Sequence, residues 1–175
     1  MYSGGWDRVI KFWDVRHGGV TGYAHGSQTC ADSLDMEVTG HLLVSGGGTH
    51  GEGVQIWDIR NLQGPVLKLE FSPGEIRNPK IEPFINCCRF IPRTKHILVA
   101  ATDANFPAKI FNYQTGELID KFYNTCGRAT SCDVAHGDGN MVVVGDSTGL
   151  TQTISTVRKM DKKKKPLKVI NKLQD

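Results

Sequence analysis

No apolar run in this chain approaches the roughly 20 residues that a membrane-spanning helix needs. The longest runs, "HILVAA" and "NMVVVG", stop far short of that. The N-terminus has no basic segment followed by an apolar one, so no signal peptide is expected. Paired cysteine motifs are missing as well. The five cysteines, at positions 30, 87, 88, 126 and 132, are odd in number and irregular in spacing. That argues against a disulfide framework and for a reducing compartment. With no C-x-x-C and no H-E-x-x-H, a zinc site is not expected either. Long helical patterns are scarce, whereas the 20 glycines suit many tight turns between strands.

Charge of one sign is also lacking, except at one end. The net charge is +3. Residues 159–175 hold seven lysines against Asp161 and Asp175, so the rest of the chain is slightly acidic. The tail stretch "RKMDKKKKPLK" carries no interleaved aromatic residue, so base stacking and specific nucleic-acid binding are not expected. Lys162, Lys163, Lys164 and Lys165 are candidates for electrostatic contact only.

What the chain has in abundance is repetition. "SGGWDRVIKFWDVR" begins at Ser3 and "SGGGTHGEGVQIWDIR" at Ser45; both open on Ser-Gly-Gly and close on Trp-Asp-x-Arg. Aligning Trp13, Trp57, Phe111 and Ile154 gives spacings of 44, 54 and 43 residues. A strand-like run precedes each: "MYSGG", "LLVSGG", "ILVAAT" and "VVVGDS". Ahead of three of these lie "TCADSLDM", "INCCRF" and "TSCDVA"; "GPVLKLEF" and "GELIDKFY" follow two units. Each unit therefore reads as a four-stranded antiparallel meander with Gly, Asn or Asp at its turns. Apolar residues fall on both faces of the central strands, so each sheet needs a neighbour on either side, and radial stacking supplies them. By the same alternation Cys87 and Cys88 should face opposite ways.

Unit length, the Ser-Gly pair and the Trp-Asp ending are similar to those of WD-repeat β-propellers, over residues 1–157. The fold class this implies is all-β: four-stranded antiparallel WD-repeat blades, about four of them in an incomplete ring. The blades are placed at 1–26, 27–71, 84–123 and 128–157, with residues 158–175 a flexible lysine-rich tail. The resemblance also implies a hydrogen-bonded tetrad within a blade. Ser3, Asp7 and Trp13 match three of its four positions, and Ser45 and Trp57 match two in the second unit. "MYSGG" starts on the second strand of a blade, which implies the C-terminal part of a longer propeller; completing the ring with a partner is the alternative. Open edges and faces would then favour self-association.

No catalytic motif survives its structural context. "GGGTHG" fits G-x-G-x-x-G but leads into a strand rather than a helix. His50-Gly51-Glu52 lacks the Pro-Cys-x-x-Cys of a zinc deaminase. Asp32, Asp35 and Asp133, or Ser131, His136 and Asp138, are not brought together by spacing. A non-catalytic, cofactor-free protein-interaction scaffold is the expected function, with a propeller enzyme the remote alternative. The resemblance places the presented loops at Gly22–Gln28, Ser72–Pro83 and Asn124–Arg128, beside the hairpins at Trp6-Asp7, Gly47–Gly53 and Asp103–Pro107. Trp6 and Phe106 are candidate anchors there. The doubled Trp-Asp-x-Arg resembles that of WD-repeat substrate receptors of cullin-type ubiquitin ligases, which makes Arg16 and Arg60 candidate adaptor contacts. Partners are expected to be proteins, in the cytoplasm or, alternatively, the nucleus or cytoskeleton, and not membranes.

Overall fold

A computed structural model describes residues 1–48, 53–71, 83–103, 107–122 and 127–156. Among these, every regular element is a strand, and the 14 strands form four antiparallel sheets. The first contains β1 (Tyr2–Ser3), β2 (Val9–Asp14) and β3 (Gly19–His25). The second contains β4 (Leu34–Met36), β5 (Leu42–Gly46), β6 (Val54–Asp58) and β7 (Leu67–Leu69). The third contains β8 (Ile85–Ile91), β9 (His96–Ala101), β10 (Ala108–Asn112) and β11 (Leu118–Lys121). The fourth contains β12 (Ala129–Val134), β13 (Met141–Asp146) and β14 (Thr151–Ser155). Within each sheet the spatial order is the chain order, as in a meander.

The sheets stack face to face, and the two-residue period of the strands makes that possible. Along β9, Ile97, Val99 and Ala101 pack with Val44 and Ile56 of the second sheet and with Phe71 just beyond it. Leu98 and Ala100, on the other face, pack with Cys132, Val142 and Val144 of the fourth. Cys88 and Cys87 divide in the same way, one to each side. A third cluster, built on Ile10, Ala24, Leu43 and Trp57, joins the first sheet to the second. The leading strands of neighbouring sheets lie side by side. The Asp32 amide donates to the Asn86 carbonyl at 3.1 Å, and Cys88 returns a bond to Asp32 at 3.2 Å. The Asn86 side chain then reaches the Ala129 carbonyl at 2.6 Å. First strands gathered together with sheets fanning outward are the arrangement of propeller blades.

Two expectations need correction. The run "TCADSLDM" yields a strand only at Leu34–Met36. Ahead of it Ala31 takes a positive φ of 48°, and the Cys30 amide donates to the Ser33 hydroxyl, so the chain turns before it can extend. The loop expected at Gly22–Gln28 starts later, because β3 remains paired with β2 through His25.

Candidate functional site

The Trp-Asp endings show why their residue types recur. The Trp13 indole N–H donates to the Ser3 hydroxyl at 2.8 Å, and Trp57 donates to Ser45 at 2.9 Å. Register explains the pairing. Leu43 lies opposite Trp57, and Met1 exchanges backbone bonds with Trp13, so each serine sits two residues beyond its tryptophan's partner. In the third blade Ile97 faces Phe111, which puts Val99 in the serine's place. Donor and acceptor are replaced together there, leaving no buried polar atom without a partner. Asp7 does not join this pair: its carboxylate accepts the Val9 amide at 3.2 Å and lies 3.5 Å from Lys11 Nζ, ordering its own hairpin.

The aspartates of the two motifs are turn formers. Asp14 accepts the Arg16 amide at 2.9 Å, and Asp58 accepts the Arg60 amide at 3.0 Å. Asn112 does the same for Gln114 at 2.9 Å, so the third blade keeps the turn chemistry after losing the Trp-Asp letters. Arg16 folds back onto Asp14, with contacts of 3.2 and 3.0 Å. Arg60 clasps Asp58 at 2.9 and 2.6 Å. This clasp, together with the Arg60 amide, holds the Asp58 carboxyl down at about 2; the Arg16 fork lowers Asp14 in the same way.

A different cluster gathers where the hairpin between β1 and β2 meets the start of the third blade. Trp6 is 66% exposed, yet its ring lies 6.2 Å from that of Phe84 at a 40° tilt. The turn beneath it is anchored: the Gly5 carbonyl accepts the Thr29 amide at 3.1 Å. Phe84 is seated by its amide bond to the Thr102 hydroxyl at 2.8 Å, and it closes over Gly48, where a Cβ would come within 2.0 Å of the ring. The turn thus holds a large aromatic ring open to solvent in a fixed position. Phe106, Lys162, Lys163, Lys164 and Lys165 lie outside the described residues, as do His50 and Glu52.

No family model matches the sequence. The chain is similar to the mitotic checkpoint protein bub3 of Dictyostelium discoideum, at 25% identity over 134 residues. The match covers 77% of this chain and 38% of that protein. This similarity and the four antiparallel sheets are consistent with a WD-repeat β-propeller. Two of the four described sheets carry the Trp–Ser bond.

Other features of the blades carry no mark in the repeat pattern. Asp146 accepts from the Gly127, Thr148 and Leu150 amides and from the Thr148 hydroxyl. Burial pushes its carboxyl up, but those bonds outweigh it and hold the group low. "VVVGDSTG" contained the signal, since an Asp followed by Ser-Thr-Gly is a turn sequence. Lys109 is buried on β10, with its ammonium 3.7 Å from Asp103 and 4.1 Å from the centre of the Phe71 ring. Nothing in the alternation marks a lysine as internal. Asp32 and Asp133, which no spacing brings together, converge on Arg89 at 3.0 and 3.7 Å. They flank a guanidinium, which gives an ion-pair network and no acid–base pair. Among the described residues no group of three His, Cys, Asp or Glu is placed to hold a metal ion, and no helix is long and apolar enough to cross a membrane.

Proposed function

We propose that the chain is a non-catalytic protein–protein interaction scaffold, and that the surface around Trp6 and Phe84 receives its partner. The exposed, braced indole of Trp6 carries this reading. An aromatic ring already fixed by its turn loses little freedom on binding, so the area it buries converts efficiently into affinity. The similarity to a mitotic checkpoint protein supports looking for that partner among checkpoint proteins. In this reading residues 1–157 supply the platform, Phe106 extends its anchor set, and the lysines at 162–165 add only salt-sensitive attraction. The open face beside Trp13 promotes self-association of the chain on its own. Sedimentation at micromolar concentration should therefore show dimers or larger species; a stable monomer would count against that part.

A second reading, receptor subunit of a cullin-type ubiquitin ligase, draws on the exposure of Arg16 and Arg60 in two like turns. Against it, both guanidinium forks are engaged by their own aspartates, so docking would have to displace two bidentate contacts. Co-purification separates the two. Trp6→Ala should remove the partner, whereas Arg16→Glu with Arg60→Glu should leave partner binding intact. The opposite pattern would favour the ligase reading.

A further inference from the structure

Two thiols meet where the third blade joins the fourth. Cys87 lies on β8 and Cys132 on β12, the leading strands of adjacent blades. The Cys87 thiol donates to the Cys132 carbonyl oxygen at 3.0 Å, which brings the two residues together across the blade boundary. Arg89 follows two residues after Cys87, on the same face of β8, and is itself positioned by Asp32 and Asp133. The two sulfurs are therefore unlike. Hydrogen bonding with the Cys132 side chain lowers the Cys87 thiol, with help from Arg89, against the opposing effects of burial and Asp32. The same bond and burial raise Cys132. Cys88 points to the other side of the sheet, where burial raises its thiol well above the ordinary value. A cavity of about 300 Å³ opens on the Cys132 side of the pair, lined by Arg89, Ser131, Cys132 and Asp133 among others, while Cys87 lies buried behind it.

We propose that Cys87 and Cys132 form a peroxide-driven, reversible disulfide that staples the third blade to the fourth. Hydrogen peroxide enters through the cavity beside Cys132. The Cys87 thiolate attacks one peroxide oxygen, the O–O bond breaks, and hydroxide leaves, giving a sulfenic acid. The Cys132 thiol then attacks that sulfur, forming the S–S bond and releasing water. In total two thiols are oxidised and one peroxide is reduced to two waters once the hydroxide takes up a proton. A thiol reductant of the glutathione class reverses the step. Because the bridge joins residues 45 apart in sequence, it restrains the separation of two blades that otherwise cohere only through non-covalent contacts.

The test treats the full chain with hydrogen peroxide, blocks the remaining thiols and maps linked peptides by mass spectrometry. Free thiols should fall from the five of the chain to three. Cys87 should be joined to Cys132, and dithiothreitol should restore all five. Cys88→Ala should keep the link. Cys132→Ser should lose it and instead accumulate a sulfenic acid at Cys87, trapped by dimedone. The melting temperature should rise on oxidation of the wild type and not of Cys132→Ser. A Cys87–Cys88 bridge, a link through Cys30 or Cys126, or no link in the wild-type chain would overturn the proposal. The wild-type map needs no variant to fold.

Discussion

Trp13 and Trp57 carry the same hydrogen bond to the same kind of serine, in the same place on their strands, yet only one of them is inside the protein. Trp57 is fully buried, whereas Trp13 is 38% exposed. The difference lies in what covers them. Gly26, just after β3 of the first blade, packs so closely on the Trp57 ring that a Cβ there would come within 2.7 Å of it, and the Ser27 amide bonds the Gln55 side chain beside it at 3.3 Å. Above Trp13 there is an open, largely apolar groove of about 370 Å³ lined by Met1, Tyr2, Val15 and Gly19 among others. A blade thus provides half of a tryptophan's environment, and the neighbouring blade provides the rest. That is the physical content of a repeat fold, in which stability is shared between a unit and its interfaces.

The largest expected effect tests this division directly. Trp57→Ala should destabilise the chain by about 3–5 kcal/mol, through lost burial and the cavity left between two blades. Trp13→Ala should cost about 1 kcal/mol or less, because much of its ring already faces water. Chemical denaturation monitored by circular dichroism reads both; equal losses would mean that the first blade's face is covered in solution. Gly26→Ala comes next. A Cβ there would stand 2.7 Å from Trp57 Cζ2, so something must shift, at about 1–3 kcal/mol. The same change at Gly18, which has nothing within 4 Å, is strained only by its φ of +64° and should cost about 1 kcal/mol. The serines follow. Ser45→Ala strands a buried indole N–H at about 1–3 kcal/mol, whereas Ser3→Ala leaves an N–H that water can reach and should cost a few tenths.

How much of this could be read beforehand follows from where each signal resides. The blades were legible because strand alternation and turn residues are local, and they repeat at Trp13, Trp57 and Phe111. The contrast between Trp13 and Trp57 was not, because identical letters acquire different surroundings only when blades stack. The turn role of the motif aspartates was hidden for another reason: Asn112 performs it as well as Asp14 or Asp58, so matching the letters Trp-Asp underestimates how well the turn is preserved. Phe84 was missed because its importance comes from Trp6 and Gly48, which lie far from it in sequence. The inward lysine at 109 and the meeting of Cys87 with Cys132 are likewise products of packing between strands that no spacing rule connects.

The smallest effect concerns the two arginine clasps, where the blades should behave alike. Asp14 and Asp58 sit in turns at the blade rim, and neither depends on a neighbouring blade. Asp58 is held at about 2 against an ordinary 3.8, so its carboxylate favours the folded state. The sign follows from linkage: a carboxyl lowered on folding contributes stability that is present above about 3.8 and is lost as pH falls through about 2. Because the pair is open to solvent, that contribution is small and salt-sensitive. Arg60→Ala should move the Asp58 carboxyl back toward its ordinary value in a carbon-detected NMR titration, with little change in melting temperature at neutral pH. Arg16→Ala should do the same to Asp14. If Asp14 titrated normally in the wild type while Asp58 stayed low, the exposure of the first blade would extend to its turns. If both stay low, the uncovered face perturbs Trp13 and its surroundings and leaves the rest of the blade intact.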